Sequence, residues 1–351
     1  MEEYETALPA GGSAAHVALE DHRTSPLVRV HHALHVHPTI IPAFILLLSV
    51  LLFSAVVGGR FFAPFNLSLI LQQVTIIGTI GIAQTLIVLT AGIDLSVGAI
   101  MVLASIIMGR IAVAYGLPVE LAFAAGLLVG IVAGGLNGAL ITLFRLPPFI
   151  VTLGTWSVYF ALVLYTSNSE TIRSTDIAVT APFLQWTGNS IDVFGAQITY
   201  GSLLMLLMTV AAWYLLNWSA FGTHIKATGD DSDAARLAGI RVTRTLLATY
   251  SLAGFICALA GWILIGRTGA ISPQSGYTSN LDSITAVVIG GTSLFGGRGS
   301  IWGTLLGALI VGVFRNGLAL AGVDVLWQEF TVGVLIIVAV AIDQWIRQAS
   351  A

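Results

Sequence analysis

Apolar residues fall in long, nearly unbroken blocks along this chain, separated by short polar stretches. A helix needs about 20 mostly apolar residues to cross a bilayer. Ten blocks reach or approach that length: 40–58, 67–90, 95–115, 119–143, 148–167, 199–217, 245–266, 281–295, 300–320 and 327–345. The second and third are divided only at "TAGIDLSVG" (90–98), the eighth and ninth only at "GTSLFGGRGS" (291–300). The eighth is the shortest, and a full crossing is in question there. The pattern predicts an all-α, polytopic membrane protein with about ten transmembrane helices. Blocks two to five and seven to ten are offset by five crossings. An odd offset would make them an inverted repeat, a common plan in transporters; span counting is its main support, since the two halves share no convincing sequence identity.

Composition agrees. Apolar residues make up 56% of the 351 and charged residues 9%, against about 25% charged in a soluble domain. Mean hydropathy is +0.93. Gly126, Gly130, Gly134 and Gly138 recur every fourth residue, as do Gly299, Gly303 and Gly307. That spacing makes a smooth groove in which helix backbones approach closely. Pro147 and Pro148 suit the start of the fifth span, where a missing N–H costs little.

Orientation follows from the basic residues. With the N-terminus inside and ten crossings, nine of the 14 Lys and Arg fall on the inner side and five on the outer. Both termini are therefore expected in the cytoplasm, with 168–198 outside and 218–244 inside. The division expected is a tail at 1–38, a membrane domain at 39–346 and a short tail at 347–351. The N-terminal tail opens with Glu2, Glu3 and Glu5 in place of the positive n-region of a signal peptide. It holds six of the seven histidines. His31, His35 and His37 have ligand-like spacing, but no nearby Cys, Asp or Glu completes a metal site, and none is assigned. The one cysteine, Cys257, cannot form an internal disulfide.

The missing chemistry narrows function. A phosphate-cradling loop needs Gly-x-x-x-x-Gly-Lys-Ser/Thr, and the only lysine, Lys226, precedes Ala227. No His-Glu-x-x-His or Gly-x-Ser-x-Gly pattern occurs. No catalytic residue, no cofactor on this chain and no nucleic-acid partner are expected. Ion-coupled carriers commonly keep an acidic residue within the membrane; Asp94, Asp282, Asp324, Glu329 and Asp343 are all expected near span ends. A stand-alone secondary carrier is the alternative function.

Charge is concentrated instead in "HIKATGDDSDAARLAGIRV" (224–242). Gly229 is expected to break the preceding structure. Asp230 or Asp231 can cap a helix of about two turns, Arg236 suits its negative end, and Gly239 suits a left-handed stop. Ala234, Ala235, Leu237 and Ala238 give it a shallow apolar surface. So short a helix is marginal alone, and this one reads equally well as a docking element or a solvated connector.

"FGTHIKATGDDSDAARLAGIRV" (221–242) resembles the cytoplasmic coupling loop of ABC importer permeases. "GIDLSVGA" (92–99), "NGALITLFRLPPFIVTLGT" (137–155) and "AVVIGGTSLFGGRGSIWGTLLGALIVGVFRNGL" (286–318) resemble the branch that contains the ribose, xylose, arabinose and fructose permeases. The resemblance covers roughly residues 40–345. It implies a permease subunit in the bacterial inner membrane that moves a monosaccharide, a pentose or a fructose-like sugar. Its implied partners are a second permease copy, cytoplasmic ATP-binding subunits that supply the absent phosphate loop, and a periplasmic sugar-binding protein. Thr228, Gly229, Asp231, Ala234, Ala235, Leu237, Gly239 and Ile240 would form the ATPase-coupling interface, and ATPase closure would push the sixth and seventh spans. Asp94, Asn137, Phe149, Trp156, Asn280 and Asn316 are the pathway or gate candidates. Against that, Asp94 reads more readily as a cap of the third span, and Asn137 and Asn316 as bonds between helices. The chain departs from the family at Asn280, where glutamate is usual, and at Asp231, often asparagine.

Overall fold

The computed structural model describes residues 39–276 and 278–350. The N-terminal tail (1–38) and its histidines lie outside the described residues. The described residues are helical throughout their long apolar blocks. The helices are α1 (Ile40–Val57), α2 (Pro64–Val88), α3 (Val97–Gly109), α4 (Val119–Phe144), α5 (Pro148–Ser167), α6 (Ser174–Thr180), α7 (Tyr200–Trp218), α8 (Ala220–Asp230), α9 (Ser232–Leu237), α10 (Val242–Thr268), α11 (Ser279–Ile289), α12 (Ile301–Leu320) and α13 (Val325–Ser350). A π turn carries α3 on to Ala114. Among the described residues, eight helices are long and apolar enough to cross a membrane. α11 has 11 residues, about 16 Å at 1.5 Å per residue, and cannot cross alone.

α2, α3 and α10 form the interior, while α1, α4, α5 and α7 leave most of their apolar surface outward. Such an arrangement places hydrocarbon where a soluble protein would meet water. The glycine groove of α4 is filled by α10. An added Cβ on Gly130 would overlap the Gly254 carbonyl, and one on Gly134 the Tyr250 carbonyl. Gly303 and Gly307 lie equally close to the carbonyls of Gly290 and Ala286 on α11. Gly299 does not share that role: it precedes α12 and packs against Thr292. Local sequence sets several helix starts. Pro148 opens α5. The hydroxyls of Thr199, Ser219 and Ser300 accept the N–H of Ser202, Gly222 and Gly303 at the starts of α7, α8 and α12.

The segment 168–198, expected as a loop, has structure of its own. It contains α6, a 3₁₀ turn at Pro182–Gly188, and a hairpin of β1 (Ser190–Val193) and β2 (Ala196–Thr199). The strands are antiparallel, with Asp192 opposite Gln197. Phe194 and Gly195 both take positive φ at the turn (53° and 83°), the tight geometry that two-residue hairpins need.

Candidate functional site

Two regions carry polar chemistry. The first is the charged connector. Gly229 does not break the chain as expected: α8 runs through it to Asp230. Its lack of a side chain serves packing instead. An added Cβ would overlap the Leu89 carbonyl, and Gly297 N–H donates to that same carbonyl at 3.0 Å. The end of α2, the end of α8 and the turn between α11 and α12 therefore meet backbone to backbone. Asp231, and not Asp230, caps α9: its Oδ1 accepts the N–H of Asp233 at 2.9 Å and of Ala234 at 3.0 Å. At the other end Gly239 has φ +87°. Its N–H donates to Arg236 O, and that of Ile240 donates to Ala235 O, both at 3.0 Å, so the last carbonyls are satisfied by a left-handed stop.

The structure divides the predicted coupling residues. Thr228, Gly229 and Ala235 are buried within this chain and form the root of the element. Asp231, Ala234, Leu237 and Gly239 are exposed, with Ile240 half-buried. Leu237 is 91% exposed, an apolar side chain standing off a six-residue helix. Beside it Arg236 and Asp233 form a loose surface pair at 3.6 Å. Lys226 on α8 donates to Asn217 Oδ1 at 3.0 Å, and its partial burial lowers its pKa.

The second region is the break between α2 and α3. Asp94 lies between the ends of α2 and α3, as expected, and is buried there. Its Oδ1 accepts from the Ser96 N–H and hydroxyl, both at 2.6 Å. It lies two residues outside α3, whose N-cap Ser96 turns its hydroxyl to Asp94 and makes no side-chain cap bond to the helix. Asn137 of α4 donates to Ser96 Oγ at 2.8 Å and reaches toward Asp94 Oδ2 at 3.4 Å. The Tyr159 hydroxyl donates to Ala133 O at 2.8 Å and lies 3.2 Å from Asn137 Oδ1. Thr152 of α5 donates to Ile93 O and accepts from Leu95 N–H. In the amide orientation that satisfies both groups, Gln84 brackets the Asp94 backbone, at 3.0 Å to its carbonyl and 3.2 Å to its N–H. Non-helical backbone away from water needs partners within the protein, and this buried cluster supplies them.

Comparison with known proteins fits a transporter. Residues 66–340 match the family described as "Branched-chain amino acid transport system / permease component". The chain belongs to this permease family. The fructose import permease FrcC of Rhizobium meliloti is 51% identical over 350 residues, covering 100% of this chain and 97% of its own. The ribose import permease RbsC of Bacillus subtilis is 39% identical over 86% of this chain and 91% of its own, and the xylose permease XylH of Escherichia coli is 31% identical over 86% and 90%. No solved structure matches the chain significantly. The permease is thus a multi-pass membrane transport subunit, one part of a system with ATP-binding and substrate-binding partners.

The other pathway candidates of the permease are dispersed. Phe149 is exposed on the first turn of α5, and Trp156 stacks over Phe160 at 6.0 Å. Asn316 is buried on α12, and its Oδ1 has no partner among the described residues. Asn280 opens α11 and donates to Leu95 O at 3.2 Å, tying that helix to the α2–α3 break. Sequence reasoning missed one cluster. Arg315 of α12 donates from Nη2 to Asp282 of α11 at 2.7 Å and from Nη1 to Glu329 of α13 at 2.8 Å. The signal was present as three charges in apolar blocks, but the pairing required the fold.

Proposed function

We propose that this permease imports a monosaccharide, with a fructose-like sugar the first to test, by ATP hydrolysis on separate cytoplasmic subunits and delivery from a periplasmic binding protein. Both termini and α8–α9 face the cytoplasm in this reading, as the distribution of basic residues supports, and two copies of the chain enclose the route. The observation that carries it is α9: a doubly terminated helix whose outer surface is free and whose root is wedged against the membrane domain. The contact at Gly229, Leu89 and Gly297 refines the mechanism. A push on α9 passes directly to the end of α2 and to the α11–α12 turn, the two elements that adjoin the broken spans, as well as to the spans that flank it. Asp94, Asn137 and Thr152 hold the first break in shape and need not touch cargo.

The test is reconstitution with an ATP-binding subunit and a fructose-binding protein. Fructose uptake is expected only when all components and ATP are present. Gly239→Pro is expected to abolish uptake while insertion and assembly of the membrane domain persist. Accumulation of fructose against its gradient by the chain alone would establish a secondary carrier instead.

A further inference from the structure

A second break in the helical structure lies between α10 and α11. Near one end of α3, Ile271 pairs with Ile172 (2.9 and 3.0 Å) and its side chain packs on Gly109. Gly276 and Asn280 lie against Gly98, each 3.4 Å from where a Cβ would stand. Between these points the chain follows 11 residues of α3, about 16 Å, without forming a helix. This stretch therefore runs deep into the membrane domain. It is not fully covered. Gln274 is exposed, Ser272, Ser275, Gly276, Thr278 and Asn280 are half-buried, and Leu281 is 50% exposed. The Asn280 Oδ1 is itself buried and has no partner among the described residues. Two residues on, and turned to another face of α11, Asp282 joins the Arg315 cluster, two carboxylates on one guanidinium, with the Glu329 side chain 44% exposed.

Lipid cannot cover such a surface. Irregular backbone at membrane depth needs protein or a water-filled cavity beside it, and ionised side chains there face the same requirement. We propose that the open side of Ser272–Gly276 and Thr278–Leu281, with the Glu329 carboxylate, is the polar wall of the cargo route, sealed from lipid by a second copy of this chain. It rests on the reading of the chain as a sugar permease. An uncharged polyhydroxylated solute suits a wall of amide, hydroxyl and carboxylate groups, which exchange hydrogen bonds with hydroxyls in either direction. Transporters with broken helices commonly place their sites at such breaks, and here Asn280 joins the two breaks directly.

Cysteine accessibility in the assembled importer in nanodiscs tests this. Cys257 is buried and is the only native thiol, so Cys257→Ala provides the background. Gln274→Cys and Leu281→Cys probe the wall. Leu48→Cys, on the outward face of α1, reports lipid. A water-soluble methanethiosulfonate needs thiolate and water to react, and it is expected to modify the two wall positions at least about tenfold faster than Leu48→Cys. Fructose is expected to slow the reaction, and modification to block uptake. Rates no faster than at Leu48→Cys overturn the inference, whether lipid or packed protein covers the surface. A single permease copy per importer, seen by native mass spectrometry, overturns it as well. If the labelling pattern holds but the unmodified importer takes up no fructose, the cargo reading fails and the water-lined wall stands. If uptake is normal and labelling is uniformly slow, the wall is overturned and the cargo reading stands.

Discussion

The α8–α9 connector and the Asp94 cluster both carry charged hydrogen bonds in this permease, yet they are built in opposite ways. α9 is stabilised by residues within a few positions of it: Asp231 at one end, Gly239 at the other. The Asp94 cluster draws on α2, α4 and α5, with Gln84, Asn137, Tyr159 and Thr152 each far away in sequence. α9 is held locally and offers its surface to a partner. The cluster is held globally and offers none. The lesson is that one polar region can change its contacts without disturbing the domain, and the other cannot.

The largest effect should come from the packing that holds the second region together. Gly254 of α10 lies against the Gly130 carbonyl of α4, where backbone meets backbone and no side chain can swing aside. Gly254→Leu is expected to cost about 3 kcal/mol or more and to give little folded protein by thermal unfolding in detergent. Gly154→Leu, at a position with open space, should leave unfolding nearly unchanged. Equal tolerance at both sites would mean that close approach of α4 and α10 is not what positions Asn137.

A smaller loss is expected from Asp94 itself. Asp94→Ala leaves the buried N–H and hydroxyl of Ser96 short of an acceptor, at about 1–3 kcal/mol for such a group, while the Asn137 amide keeps Ser96 Oγ. Asp94→Asn keeps an acceptor oxygen and should lose less. Unfolding midpoints of the two variants, measured side by side, separate the need for an acceptor from the need for a charge. Equal losses in the two variants would show that the charge matters more than the hydrogen bonds.

The same contrast explains what is legible in sequence. Apolar block length marks eight of the ten expected spans to within a few residues, and the cap and stop of α9 are legible because both act through neighbouring backbone groups. The packing role of the α4 glycines is legible for a similar reason: four-residue spacing is a local fact. Gly229 misleads because glycine opens a turn in one setting and admits a neighbouring carbonyl in another, and only the fold brings Leu89 to it. Asp94 does lie between the ends of α2 and α3, but nothing in "GIDLSVGA" reveals that α4 and α5 close over it. The Arg315 cluster stays hidden for the same reason: Asp282 lies 33 residues from Arg315 and Glu329 lies 14 from it. Distances of that kind are set by helix packing, and a single sequence carries no record of it.

The smallest effect on the permease itself should come from Leu237→Ser. Leu237 is 91% exposed and caps nothing, and a surface substitution of this kind stays within about 0.5 kcal/mol. Unfolding in detergent should be indistinguishable from the parent. In the assembled importer the expectation reverses: a leucine held out on a short, rigidly terminated helix contributes by burial in a partner, so ATP-driven uptake should fall steeply while the isolated subunit stays sound. Ala235→Leu gives the complementary case. Ala235 is buried against the chain's own root, so enlarging it should displace α9 and alter the unfolding of the isolated subunit as well as uptake. If Leu237→Ser left uptake intact and only Ala235→Leu impaired it, α9 would matter for how it sits on the domain and not for what it touches beyond it.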